Sequence, residues 1–301
     1  MEPIRIFLFS FAILTVFTIT SQAQIFGIGH LGPDGLSTLY QINPRNGTTT
    51  TIGPIGFERC GGMDFDADGN LFATCERSDG SDSPVLVTIN PLTGIGAEVG
   101  PTGINSSIGD ISFRNSDGAL YAYDGISDPE HTVYILNTST GQATLVGDAG
   151  LSNASGNGMT FNLADTLLQS QSRGGIPRLY VINQESGQAV FVKELVVDGP
   201  PQMVAYRLAA MDVRPGAGQI YGILNDSRGN TGDFGPRFLA TLNIESGIIS
   251  IIGQTADGMD AIAIGKTTSV PSLSGIGTVI LVVVLLVSIL IVLKQRRGIK
   301  I

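Results

Sequence analysis

Five times along this chain an apolar run ends in Asn and a Gly follows four residues later. The Asn residues are Asn43, Asn90, Asn137, Asn183 and Asn243, and their partners are Gly47, Gly94, Gly141, Gly187 and Gly247. Another Gly stands ten positions after the Asn at Gly53, Gly100, Gly147 and Gly253, whereas the fourth copy has Lys193 there. Repeats of 40 to 50 residues built from short β-rich runs and Gly turns cannot bury an apolar face alone. They stack radially, as the blades of a β-propeller.

The second copy shows the unit. Val85–Ile89 is β-rich, Asn90–Gly94 turns with a Gly able to supply positive φ, and Ala97–Val99 leads out to Gly100. Asp110–Phe113 alternates polar and apolar residues as a third strand, Asn115–Gly118 is a hairpin loop, and Leu120–Tyr123 is the fourth strand. The fifth copy stops after its third strand, Ile262–Ile264. The missing fourth strand is at the other end of the chain, in Ile25–Ile28. Pairing it with Ala261–Ile264 closes the ring and removes exposed sheet edges. The reading is therefore all-β: five blades over residues 24–265, closed by an N-terminal strand. A sixth blade would need a sixth Asn-Gly unit, and the sequence contains none.

The two ends lie outside this repeat. Residues 1–23 start with Arg5, run apolar through Ile6–Ile19 and finish Ser21-Gln22-Ala23, the pattern of a signal peptide cut before Gln24. Residues 266–274 form a linker. Residues 275–293 carry no charge and are long enough for a transmembrane helix, which needs ~20 residues. The basic tail 294–301, with Lys294, Arg296 and Arg297, acts as a membrane stop and keeps that end cytoplasmic. The propeller then lies outside the cytoplasm. Between residues 24 and 270 there are 25 acidic against 12 basic side chains, a net charge of −13. Nucleic acid is excluded as a partner by such a field, whereas cations, neutral glycans and basic proteins are not.

Chemistry-bearing residues are few. If Asp66–Gly69 is a four-residue hairpin loop, Phe65 faces Asn70, Met63 faces Phe72 and Cys60 faces Cys75. In an oxidising compartment the two cysteines are expected as a disulfide. Asp64, Asp66 and Asp68 spell the D-x-D-x-D-G opening of a calcium loop. The bidentate Glu it needs is replaced by Cys75, and Asp-Gly also suits a plain hairpin, so Ca2+ is the one metal worth testing and no other cofactor is implied. Asp64, Asp110, Asp212 and Asp260 recur near the start of third strands. They offer either a carboxylate ring for a cation or acceptors for neighbouring backbone. The connections Gly29–Ser37, Glu76–Pro84, Gly125–Thr132, Gln171–Pro177, Leu195–Leu208 and Asp226–Pro236 read as long loops that gather on one face, and the two histidines, His30 and His131, fall in this set. No nucleophile elbow, H-E-x-x-H or phosphate loop occurs, and Trp is absent.

Val270-Pro271-Ser272-Leu273-Ser274, the apolar run and the basic end stand in one order. Together they resemble a C-terminal sorting signal of the PEP-CTERM type, closest to the IPTL-CTERM variant, with Val270 for Ile and Ser272 for Thr. The aromatic stretch common there is replaced by Gly275-Ile276-Gly277. The resemblance implies a Gram-negative cell envelope protein handled by an exosortase-like protease. A plain membrane anchor would show the same helix and bases. The turns Asn43-Pro44-Arg45-Asn46-Gly47 and Asn90-Pro91-Leu92-Thr93-Gly94 resemble those of a divergent group of extracytoplasmic propellers, a likeness of fold that transfers no site.

The expected function is a non-enzymatic binding or surface module displayed at the envelope, its ligand a cell-surface polymer or protein. The alternative is an extracytoplasmic enzyme acting on glycans or small substrates. An enzyme should show carboxylates converging in a deep pocket.

Overall fold

The computed structural model describes residues 24–30, 35–79, 83–124, 131–151, 158–173, 176–198, 206–226 and 236–265. The signal peptide, the Val270–Ser274 motif, the apolar run 275–293 and the basic tail lie outside the described residues. Among the described residues there is no helix; all regular structure is β, arranged as five blades.

Blade 1 joins the two ends of the domain: β1 (Gln24–Gly29), β2 (Thr38–Ile42) and β3 (Thr49–Pro54) are completed by the last strand, β21 (Met259–Gly265). Blade 2 is β4 (Glu58–Phe65), β5 (Leu71–Glu76), β6 (Val85–Ile89) and β7 (Gly96–Pro101). Blade 3 is β8 (Asp110–Phe113), β9 (Leu120–Asp124), β10 (Thr132–Leu136) and β11 (Ala143–Asp148). Blade 4 is β12 (Met159–Phe161), β13 (Leu167–Arg173), β14 (Ile176–Ile182) and β15 (Ala189–Glu194). Blade 5 comprises β17 (Tyr206–Val213), β18 (Ile220–Asp226), β19 (Arg237–Asn243) and β20 (Ile248–Gln254), with an extra outer strand β16 (Val196–Asp198). The innermost strands β21, β4, β8, β12 and β17 surround the axis. Closure follows the expected pairing: Ile25 faces Ile264, Gly27 faces Ile262 and Ile28 faces Ala261.

Each Asn of the repeat shapes its own turn. The Asn side-chain oxygen accepts backbone N–H bonds two or three residues on, from Arg45, Leu92, Ser139, Glu185 and Ser246 among others. The partner Gly adopts positive φ, between 73° and 82° in the five copies.

The second Gly has a different reason. A methyl on Gly53 would collide with the Thr93 carbonyl of blade 2, one on Gly100 with Thr140 of blade 3, and one on Gly147 with Ser186 of blade 4. Gly253 of blade 5 stands in the same way against Asn46 of blade 1. The turn of each blade docks, backbone on backbone, against the outer strand of the blade before it. Lys193 occupies this place between blades 4 and 5, where its Nζ donates to the Glu245 carbonyl at 2.6 Å.

Five apolar cores lie between successive blades. Phe26, Met63, Leu71 and Val85 belong to the first and Phe72, Ile111 and Leu120 to the second. Tyr121, Met159 and Leu167 belong to the third, Leu168, Leu208 and Leu224 to the fourth, and Ile25, Ile223 and Met259 to the last. Edge-on aromatic pairs recur across three seams, Phe26–Phe65, Phe72–Phe113 and Tyr121–Phe161, with centroids 5.2 to 5.5 Å apart.

Three expectations need correction. The blade 2 hairpin is one residue longer than expected, with Phe65 facing Leu71 and Met63 facing Ala73. Asp66 closes this loop, its N–H donating to the Asn70 carbonyl. The span Leu195–Leu208 is not all loop, because β16 pairs in parallel with β20. The Gln171–Pro177 connection is mostly strand, with Ser172 facing Pro177 and Arg173 facing Ile176.

Candidate functional site

The disulfide forms in spite of the shifted register. Cys60 and Cys75 are bonded, although Gly62 faces Thr74 in the ladder. A bulge between Glu58 and Gly62 takes up the difference, with Arg59 at φ 43°. The pair staples the inner hairpin of blade 2, and both cysteines are buried.

At the axis the hydrogen bonds define two levels. On the outer one, Asp64 accepts from the N–H of Phe113, Ser112 Oγ from that of Phe161, and Asp212 from that of Ile264. Each is a side chain of one inner strand bonded to the inner strand of another blade. Thr160 and Ala263 hold the equivalent positions in blades 4 and 1, by their place in the repeat. Two residues earlier in each blade stand Gly62, Asp110, Gly158, Ala210 and Ala261, all small except Asp110. A methyl on Gly62 would run into the Asp110 backbone, and one on Gly158 into that of Ala210. The space left is filled by the Asp110 side chain, fully buried. It accepts from Ile111 N–H at 2.9 Å, Met159 N–H at 2.8 Å and Met211 N–H at 3.3 Å, linking blades 3, 4 and 5.

Burial pushes all three carboxyls up against the pull of these amides, Asp64 to about 7, and Asp110 and Asp212 well above the ordinary range. Mutual repulsion adds to the shift: Asp64 acts on both Asp110 and Asp212. A cavity of about 150 Å³ opens over them, bordered by Asp64, Ser112, Asp212, Phe113, Phe161 and Ile264.

The four aspartates of the sequence series therefore do not form one ring. Asp64 and Asp212 share a level and Asp110 sits deeper. Asp260 bonds through Oδ2 to His30 Nε2 at 2.8 Å. Asp66 is turned into its own loop: Oδ1 accepts from the N–H groups of Asp68 and Asn70, and Oδ2 from Asn70 Nδ2. No group of three or more His, Cys, Asp or Glu placed to hold a metal ion occurs among the described residues. His131 is buried in blade 3, its Nδ1 3.1 Å from Tyr123 Oη and its ring stacked on Tyr123. The two histidines thus serve separate blades.

The larger concavity was not anticipated. On the flank between blades 2 and 3 lies a groove of about 670 Å³, walled by Ile104, Asn105, Thr132, Tyr134, Gln142 and Leu145, among others. The connection that forms one wall is pinned at four points. Thr102 Oγ1 donates to the Pro84 carbonyl, Ile104 N–H donates to Thr102 Oγ1, and Ser107 Oγ donates to Glu76 at 2.7 Å. Ser106 Oγ donates to the buried Asp124. Among the described residues, no charged side chain lines the groove. Its signal in the sequence is slight: two serines, Ser106-Ser107, set between the acidic strand ends Glu76 and Asp124.

No family model matches the chain, and no curated protein is similar to it. Solved structures are similar in fold. A structural genomics protein of unknown function from Bacteroides thetaiotaomicron shares 17% identity at a TM-score of 0.49, over 82% of this chain and 61% of that one. A putative TolB from Agrobacterium tumefaciens shares 13% at 0.48, covering 79% and 83% of the two chains. A putative gluconolactonase shares 13% at 0.47, covering 82% and 86%. This chain therefore spans less than two thirds of the first of them. The likeness is one of fold, and no activity follows from it.

Proposed function

We propose that this protein is an exported, envelope-tethered β-propeller that works as a binding or surface module without catalysis. The observation that carries the reading is the state of the buried acids. Asp64, Asp110 and Asp212, which an enzyme would turn toward substrate, accept backbone amides from other blades. The cavity above them, about 150 Å³, is below the ~300–1,000 Å³ of small-molecule sites. Among the described residues, the larger groove offers no carboxylate, imidazole or amine for acid–base work.

The strand order supports one way of tethering. β21 ends at Gly265, whose nearest side chains are Phe65 and Phe26, beside the hairpin that starts at Asp66. The chain leaves the propeller there, at the axial mouth. Nine linker residues, 266–274, then precede the apolar run. A cut before Gln24 keeps β1 whole. The sorting-like motif adds an exosortase-like protease as the processing partner.

The test is the intact mass of the protein recovered from a Gram-negative envelope fraction. A mass for residues 24 to about 270 supports sorting and transfer. A mass for 24–301 retains the tether as a plain anchor and removes the sorting signal. A full chain of 301 residues recovered from the cytoplasm overturns the reading.

A further inference from the structure

We infer that the outer strand of blade 4 pairs edge to edge with the same strand of a second copy of this chain. The inference goes beyond the binding-module reading and does not depend on it.

The pseudo-symmetry singles this strand out. At two successive places of the outer strand the blades carry Thr50-Thr51, Ala97-Glu98, Thr144-Leu145, Val190-Phe191 and Ser250-Ile251. Val190 and Phe191 are 62% and 54% exposed, and Val192 beside them is exposed as well. Outer edges elsewhere carry devices that discourage an added strand. β3 and β7 end in Pro54 and Pro101, β7 also holds Glu98 in an ion pair with Arg77, and β11 ends in Asp148. The other apolar outer strand, β20, is covered by β16, so this fold already answers an apolar edge with an added strand. β15 has neither proline nor charge from Ala189 to Val192. Its first charge, Lys193, is turned toward the Glu245 carbonyl of blade 5, and Ala189 N–H is tied to the Ala149 carbonyl of blade 3. Between those ties, Val190–Val192 is an edge on which no strand pairs among the described residues.

The partner is a second copy because this stretch is self-complementary. An antiparallel pair about a two-fold axis at Phe191 sets Phe191 against the partner's Phe191 and Val190 against the partner's Val192. Ala189 then meets the partner's Lys193, and Gln188 the partner's Glu194, so no like charges face each other. Residues 187–193 contain no acid, which matters for two bodies that each carry a net charge of −13 and repel elsewhere. The exposed apolar surface continues at Val196 and Ile248, which pair between β16 and β20 and are 64% and 39% exposed. These five side chains leave on the order of 500 Å² open per copy, so a two-fold pair covers roughly 1,000 Å², the lower bound for a specific interface. An isologous contact uses up the patch, and association closes at two copies.

The test uses the full chain in detergent, with the native cysteines bonded to each other and buried. Under mild oxidation, Phe191→Cys is expected to form a covalent dimer about tenfold more readily than Thr51→Cys, the corresponding place in blade 1. In sedimentation at about 10–100 µM the wild type should run as two chains, and Phe191→Lys as one at an unchanged melting temperature. If Phe191→Lys is unstable, Val190→Lys at the more exposed position makes the same comparison. Phe191→Cys that cross-links no better than Thr51→Cys, a wild type that runs as one chain over that range, or lysine variants that still run as two would each overturn the proposal. So would Phe191→Cys trapping a different protein in an envelope extract, since the edge would then belong to a foreign strand.

Discussion

The perimeter and the axis of this propeller are held together by opposite means. At the perimeter, four of five seams repeat one solution, a turn docked on a glycine whose missing side chain lets two backbones touch. At the axis the deciding contact occurs once, below an outer level where Asp64, Ser112 and Asp212 each accept an amide of another inner strand. One carboxylate, Asp110, fills the space left by Gly62, Gly158, Ala210 and Ala261, and accepts amides from three blades. A repeated contact divides stability among equivalent places, whereas a unique one concentrates it. Both regions can be broken by adding or removing a few atoms.

The perimeter should break hardest. Gly147→Ala puts a methyl into the Ser186 carbonyl, with no flexible side chain to give way. Blades 3 and 4 must then separate, and the expected loss is ~4 kcal/mol, above the ~1–3 kcal/mol of ordinary overpacking because two backbones meet and no side chain can yield. Urea unfolding measures it. A loss below ~1 kcal/mol would mean that the seam has slack and that the glycine reflects turn chemistry alone.

That contrast also explains what the sequence reveals. The perimeter is legible because each seam is written in local spacing, Asn to Gly to Gly, and repeated. Closure by Ile25–Ile28 is legible because the repeat is short by one strand. The Cys60–Cys75 bond is legible as a pair, but the route to it is not, since a bulge at Arg59 leaves no clear mark in composition. The axis is hidden because Asp64, Asp110 and Asp212 look alike in their strands. Their levels depend on an offset of two residues along the inner strands. β16 is hidden too, as three residues are too few to show a pattern. The flank groove is hidden because its walls, Ile104–Asn105 and Tyr134–Leu145, come from stretches far apart in the sequence.

The axis is expected to break less violently and to respond to pH. Asp110→Ala strands the N–H groups of Ile111, Met159 and Met211 but also removes a buried carboxyl. The net loss should be ~3 kcal/mol, since each unpaired buried donor costs ~1–3 kcal/mol before that offset. The sign of the pH effect follows from the raised carboxyls. Between about pH 4, where an unfolded Asp titrates, and about 7, where Asp64 does, the folded chain holds protons that the unfolded chain has released. Stability therefore falls as pH rises through that window, by up to ~1.4 kcal/mol per pH unit for each group. Asp117, held down to about 2 chiefly by its bonds from Arg114, loses its contribution only below the window. Urea midpoints from pH 4 to 8 should decline, and decline less in Asp110→Ala. A midpoint that climbs with pH would show that the amides outweigh burial and that these carboxylates are charged in the fold.

The smallest effect is expected where the perimeter departs from its own rule. Lys193 stands where four blades have glycine, and its Nζ donates to the Glu245 carbonyl at the protein surface. The seam does not depend on that bond alone. In blades 2, 3 and 4 the outer strand opens with a single N–H donated to the blade before it, from Gly96 to Ile55, Ala143 to Thr102 and Ala189 to Ala149. Between blades 4 and 5 this single tie has grown into the β16–β20 ladder, Val196 to Asp198 against Ile248 to Ser250, with Val196 N–H donating to the Gly247 carbonyl. The ladder replaces the close approach that a lysine forbids. Lys193→Met keeps the aliphatic stem and removes only the exposed charged donor, so it should cost no more than ~1 kcal/mol. Lys193→Gly should not recover the stability of a glycine seam, because β16 already occupies the edge and the added chain freedom costs ~0.5–1 kcal/mol. If Lys193→Met is as damaging as Gly147→Ala, the lysine itself closes this seam and β16 is only decoration on it.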